Sequence, residues 1–290
     1  MSDAFASFNE AWDDFTARVA AGWDGFFSST NRRRDESGRI ARARATGIVS
    51  ERDAGHVALP SYACELGEKV RVLDIGQNAI ASLEETALGR LTGTTQARLD
   101  GNALRALPRA LFDMTRLRTL DVRGNRLRAI PDAIDRLRAL EQLNMDDNEL
   151  ETLPASLGRL TRLRRVTASG NKLRDFACAA ALGSCDALEV VSFAKNVRMR
   201  GAIPSSWSRL ERLKEIDVDE TAVESVPAEI FSGCVALHTL SARACSNLDI
   251  GALKSTPGYD EYERRRVDKH TKQIESRVLL DSARLDERLG

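Results

Sequence analysis

Leu117-Arg-Thr-Leu120-Asp-Val122-Arg-Gly-Asn125-Arg-Leu127-Arg-Ala-Ile130-Pro131 is answered, 23 residues later, by Leu140-Glu-Gln-Leu143-Asn-Met145-Asp-Asp-Asn148-Glu-Leu150-Glu-Thr-Leu153-Pro154. The apolar positions, the asparagine and the proline coincide. Self-similarity at a fixed short period means a stack of small units, each leaning on its neighbours. Pro108, Pro131 and Pro154 keep the 23-residue spacing, as do Pro204 and Pro227, and as do Asn102, Asn125, Asn148 and Asn171. Working outward, eight copies begin near Val70, Thr94, Leu117, Leu140, Leu163, Leu188, Leu213 and Leu237. The second is degenerate, with Thr94 and Ala97 in leucine slots, which predicts a thinly packed turn. The sixth is stretched over Asn196–Pro204, which predicts a bulge on the convex side. Thr221 and Cys245 stand at the asparagine site of the last two. His56-Val57-Ala58-Leu59-Pro60 reads as the back half of an incomplete repeat.

Each residue type has a mechanical task. The apolar alternation gives one strand per copy, adding to a parallel sheet with its apolar residues turned inward. An asparagine side chain satisfies turn backbone groups that burial would otherwise leave unpaired. Proline then sets φ for the outer segment at a position where its missing N–H is harmless. In that segment Ile134, Leu137 and Leu140 fall on one inward stripe.

The pattern L-x-x-L-x-L-x-x-N-x-L, with Leu-Pro closing each copy, resembles the leucine-rich repeat, and its 23-residue form resembles the intracellular Ras-group type over residues 56–255. That resemblance implies an α/β leucine-rich repeat solenoid, a horseshoe of about eight repeats with a parallel concave sheet and helical N- and C-terminal flanks. It implies a protein-binding scaffold, in some members one that touches small GTPases or phosphatases. Ala45-Thr46-Gly47-Ile48-Val49, Asp53-Ala54-Gly55 and the run Pro257–Arg264 resemble the flanks of the leucine-rich repeat-containing protein fifty-seven group. This chain departs from that group in having Ser2 where an N-terminal glycine acceptor would stand, and in its aromatic leading segment. The domain reading is 1–30 amphipathic aromatic helix, 31–55 linker and N-terminal cap, 56–255 repeats, and 256–290 C-terminal capping helix.

Composition narrows the function classes. Forty-three basic residues cancel 43 acidic ones, which argues against a dedicated nucleic-acid binder, whose affinity comes largely from neutralising phosphates. No run approaches the length of a membrane span. Met1-Ser2-Asp3 opens neither a secretory signal nor an acid-poor transit peptide. Cys64, Cys178, Cys185, Cys234 and Cys245 are scattered and odd in number, so a reduced, cytoplasmic setting is expected. Cys185 and Cys234 share a Cys-x-x-Leu spacing before a strand and read as buried wall residues. His56, His238 and His270 lie far apart, and no phosphate loop, dinucleotide fingerprint or nucleophile elbow occurs. The expectation is no enzyme, no cofactor and no metal site.

Two ends and one face remain. Phe5, Phe8, Trp12, Phe15, Val19, Trp23 and Phe26 follow steps of three and four, the spacing of one helical face. Asp3, Glu10, Asp13, Asp14 and Asp24 make that segment acidic. Its readings are docking on the repeats, a partner groove, or a membrane anchor, the last disfavoured because surface-lying helices usually carry Lys/Arg. Residues 28–44 read as a polar linker. Tyr259 and Tyr262 are expected to cover the last repeat. Val267, Ile274, Val278, Leu285 and Leu289 form a narrow stripe, and Arg264-Arg265-Arg266 read as a solvated helix face.

On the concave face three columns are expected. One is Asp74, Arg98, Asp121, Asn144, Thr167, Ser192, Asp217, Ser241. Its neighbour is Gly76, Asp100, Arg123, Asp146, Ser169, Ala194, Asp219, Arg243. The third is Val72, Gln96, Thr119, Gln142, Arg165, Val190, Glu215, Thr239. From these Asp74, Arg98, Asp100, Asp121, Arg123, Asn144, Asp146, Arg165, Glu215, Asp217, Asp219 and Arg243 are the candidate partner-binding residues, with Glu215, Asp217 and Asp219 as an acidic knot. The competing reading is a solvated sheet face with weak ion pairs such as Arg98–Asp121.

Overall fold

The computed structural model describes residues 36–269 and 271. Two compact units divide the chain, residues 1–42 and 43–290. The described part of the first lies in helix Glu36–Thr46, where composition predicted a linker. Arg42 Nε donates to Gly38 O across one turn, at 3.3 Å. The aromatic stripe at Phe5, Phe8, Trp12, Phe15, Trp23 and Phe26 lies outside the described residues, as do Ile274, Val278, Leu285 and Leu289. Among the described residues no helix is long and apolar enough to cross a membrane.

The second unit is built on a 9-stranded sheet in the order β1 (Ile48–Ser50), β2 (Val72–Asp74), β3 (Gln96–Arg98), β4 (Thr119–Asp121), β5 (Gln142–Asn144), β6 (Arg165–Thr167), β7 (Val190–Ser192), β9 (Glu215–Asp217) and β11 (Thr239–Ser241). Every pairing is parallel and between successive rungs, so the chain climbs as a solenoid. The middle residue of each strand points inward: Leu73, Ala97, Leu120, Leu143, Val166, Val191 and Ile216 are fully buried. β1 was not expected. It forms because Ile48-Val49-Ser50 pairs with β2 while Glu51 takes the slot that an apolar residue fills elsewhere. Burial of that carboxylate is compensated by Tyr62 Oη, donating at 2.7 Å, and by His56 Nε2 at 3.1 Å.

After each strand the chain must turn sharply. The residue before the asparagine site is left-handed in all nine rungs: Asp53, Gln77, Gly101, Gly124, Asp147, Gly170, Lys195, Glu220 and Ala244 have φ between 50 and 65°. The asparagine side chain is thereby aimed into the stack. Asn148 shows the pattern. Its Nδ2 donates to Val122 O at 2.9 Å, Met145 O at 3.1 Å and Asp146 O at 3.0 Å, and its Oδ1 accepts from Leu127 N at 3.0 Å. Asn102, Asn125, Asn171 and Asn196 repeat it, and so does Asn78 in the copy that begins at Val70. At the far end the ladder thins. Thr221 Oγ1 donates to Val218 O at 2.7 Å, and Cys245 Sγ to the same carbonyl at 3.1 Å.

The outer segments are mostly short 3-10 helices, entered through Pro108, Pro131, Pro154 and Pro204. The three-residue spacing of Ile134, Leu137 and Leu140 suits a 3-10 turn, in which such residues stack, and all three are fully buried. In the degenerate copy the small residues bring backbones together instead of leaving space. Thr94 is buried with its hydroxyl on Val70 O, and a side chain added at Gly93 would collide with Glu68 O. The stretched copy is ordered too. β8 (Arg200–Ala202) pairs in parallel with β10 (Ala222–Ser225), a second sheet where a bulge was expected.

At the C-terminal end helical residues 259–269 cover the last rung. Tyr259 and Tyr262 pack on Phe231 at 5.5 and 5.4 Å, and Leu240 N, on the outermost strand, donates to Tyr262 Oη at 3.0 Å. Arg265 is not a solvated residue. It donates to Leu237 O and Phe231 O at 3.0 Å each, closing carbonyls that have no next rung.

Candidate protein-binding face

The strand register sets two of the expected columns side by side: Val72, Gln96, Thr119, Gln142, Arg165, Val190, Glu215 and Thr239 are successive partners, and Asp74 through Ser241 likewise. The third, just past the strands, is carried on by backbone bonds between rungs such as Gln77 N–H to Asp100 O, Gly101 N–H to Arg123 O and Glu220 N–H to Arg243 O. All twelve candidate residues therefore share one face. They do not share one role.

The central column turns back on its own backbone. Asp74, Asp121, Asn144 and Asp217 each accept from the backbone N–H two residues on, at 3.0–3.1 Å. All four are buried, between 4% and 8% exposed. A short acceptor there holds the strand end before the left-handed turn, which explains why the column is rich in Asp and Asn. Burial pushes the Asp121 carboxyl up to about 7, with the neighbouring Asp100 charge adding to it. Burial likewise raises Asp217 to about 6, against hydrogen bonds from the Asp219 N–H and Ser192. Asp146, in the next column, is raised to about 6 by burial, opposed by the Ser169 N–H that it accepts at 2.7 Å.

Charged residues of the flanking columns pair locally. At the N-terminal end Arg52, carried in by β1, forks onto Asp100 at 3.0 and 2.6 Å and reaches Asp74 at 3.4 Å. Burial alone would raise Asp100, but the Arg52 hydrogen bonds and charge hold it below the ordinary carboxylate range. A side chain at Gly76 would collide with that guanidinium. Arg98 pairs with Asp74 at 3.6 Å, not with Asp121 as expected, and Arg123 lies 3.7 Å from Asp121. At the far end the acidic knot is dispersed. Asp219 is held by Arg243 at 2.7 Å and by Ser241 at 2.6 Å, Asp217 by Ser192 at 2.8 Å, and Glu215 by Lys269 at 3.4 Å. Between the two charged ends lies a floor of short side chains, Thr167, Ser169, Ser192 and Ala194. Ser169 Oγ and Ser192 Oγ are 2.8 Å apart. Arg165 borders the floor, its pKa brought down to about 10 by burial against the pull of Glu215, Glu189 and Asp146.

Sequence reasoning missed Arg52, Gln77 and Lys269. Gln77 Nε2 donates to Asp100 at 3.2 Å. Arg52 belongs to the rung whose motif is eroded by Glu51 and Ala54, Gln77 stands at the left-handed turn position outside the three columns, and Lys269 arrives from outside the repeats. Cys185 and Cys234 are fully buried, donating to Leu157 O and Trp207 O, and burial pushes both thiols up to about 12. Among the described residues no group of three or more His, Cys, Asp or Glu is placed to hold a metal ion.

The profile of the leucine-rich repeat region matches residues 68–249. Plant intracellular Ras-group-related LRR protein 7 of Oryza sativa subsp. japonica is 34% identical over 70 residues, 24% of this chain and 26% of that protein. The match thus spans about a quarter of that relative. Among solved structures, the leucine-rich repeat domain of the type III effector XopL superposes with a TM-score of 0.61 at 19% identity, over 89% of this chain and 93% of that one. The plant peptide hormone receptor RGFR1, in complex with RGF2, gives 0.52 at 20% identity, over 66% of this chain and 36% of that one.

Proposed function

The chain belongs to the leucine-rich repeat family, and from that premise we propose that it is a non-catalytic scaffold inside the cell that binds a protein partner on its concave face. One observation carries the proposal. The register holds the side chains of successive strands in fixed columns, and their central stretch, Thr167, Ser169, Ser192 and Ala194, is a floor of short side chains between ends of paired charge. Such a floor admits a protruding partner side chain, while fixed charges at both ends set the orientation of docking. The solved complex of RGFR1 with RGF2 is a precedent for a repeat of this fold engaging a peptide, and the rice relative is described as intracellular.

A photo-crosslinking amino acid placed at Ser169, and separately at Arg159 on the outer side, tests this in the full chain within its native cells. The proposal requires a discrete protein adduct from position 169 and none from position 159. Adducts from both positions alike, or from 159 alone, would overturn it.

A further inference from the structure

The edge by which each rung passes from its outer 3-10 turn into its strand carries a second pattern. Three and four residues ahead of β4, β5 and β6 stand Thr115-Arg116, Arg138-Ala139 and Thr161-Arg162. The three arginines are exposed, and no hydrogen bond or ion pair engages their guanidinium groups among the described residues. Their neighbours differ: Arg118 faces Glu141, Arg136 faces Asp113, Arg159 faces Asp135 and Arg164 faces Glu189. One uncommitted cation per rung therefore runs across three successive rungs. The column of Arg116 and Arg162 continues to Lys69 on one side and Arg212 on the other, with Gly93, Ala139 and Ala187 between. Beyond Arg162 the short Ala187 leaves a cavity of about 460 Å³, bordered by Thr161, Asp186, Arg209, Glu211 and Arg212.

We propose that this edge binds an acidic protein segment in extended conformation, with a carboxylate at about every third residue. Parallel strands stack ~4.8 Å apart, so Arg116 and Arg162, two rungs apart, are ~10 Å apart, and three extended residues span the same ~10 Å. The alanines between leave room for the intervening side chains. Guanidinium forks suit carboxylates. Asp186 and Glu211 beside Arg212 disfavour an uninterrupted polyanion, because a nucleic-acid strand carries a negative charge on every residue and would meet both. This edge is separate from the concave face and does not rest on the reading given for it.

The test is fluorescence anisotropy of the full chain with a fluorescein-labelled peptide carrying Glu at every third position. A peptide of the same composition with its Glu in one block, and a short single-stranded DNA, serve as comparators. Exposed pairs are individually weak, so three together give about a tenfold preference for the spaced peptide over the blocked one. That binding weakens with added salt, disappears on Arg116→Glu with Arg162→Glu and Arg212→Glu, the three cations of the two-rung column, and survives Ser169→Arg. Equal binding of the two peptides, which needs no variant, overturns the proposal. So does binding that survives the charge reversal, is lost with Ser169→Arg, or is exceeded by the DNA.

Discussion

The interior and the concave face of the same rungs follow opposite rules. Inside, one residue type recurs: Asn102, Asn125, Asn148 and Asn171 make the same bonds at nearly the same lengths. On the face, neighbouring strands present Asp121, Asn144, Thr167 and Ser192 in turn. An interior residue must satisfy the backbone of an identical neighbour, so its identity is fixed by the fold. A face residue meets solvent or a partner and is free to differ from rung to rung. The central column stands between these cases, since its Asp and Asn residues are on the face yet bound to their own backbone.

The largest break in this comparison is expected from the interior. Asn148→Ala leaves the buried Leu127 N–H without its acceptor and takes one of two donors from each of Val122 O, Met145 O and Asp146 O, and should cost about 3 kcal/mol in urea unfolding. Thr221→Ala removes the bond to Val218 O and a long contact with Cys245 Sγ at 3.7 Å, while Cys245 Sγ still donates to that carbonyl, and should cost about 1 kcal/mol. Equal losses would mean that the asparagine ladder does not set the strength of the stack.

A smaller effect lies in the central column. Asp121 titrates near 7 in the folded chain, and Asp146 and Asp217 near 6, above the ordinary carboxylate value of 3.8. A folded value raised in this way contributes stability that is full below the unfolded pKa and is lost as pH rises through the folded one. Asp100 has the opposite sign, its contribution being lost only in acid. Thermal stability should therefore fall from pH ~5.5 to pH ~8, with about 2 kcal/mol of the loss due to Asp121. Asp121→Asn should flatten the decline, because Asn144 already makes the equivalent bond one strand away. An unchanged slope in that variant would show that Asp121 does not titrate in this range.

Much of the frame could be read from the residues. Leucine, asparagine and proline spacing gave the strands, the ladder and the inward stripe, because each rung repeats the same physical problem. β1 was hidden because Glu51 occupies an apolar slot and Ala54 the asparagine site, a substitution made workable by Tyr62 and His56 from elsewhere. The second sheet was hidden because Arg200-Gly-Ala has no alternation to read. The columns of the face were legible as a list, but their burial was not. Nothing in Asp121-Val-Arg tells whether the carboxylate reaches outward or folds back on the Arg123 N–H, as it does at 3.1 Å. Nor did the sequence show that Lys269 would neutralise Glu215.

The claim at the centre is that the concave face engages a partner independently of the frame beneath it. Ser169→Arg tests it most directly, with capture of the partner that crosslinks at that position measured beside a thermal melt of the same sample. Capture should fall by about tenfold or more while the melting temperature moves by no more than about 2 °C. Undiminished capture by a chain that melts normally would contradict it.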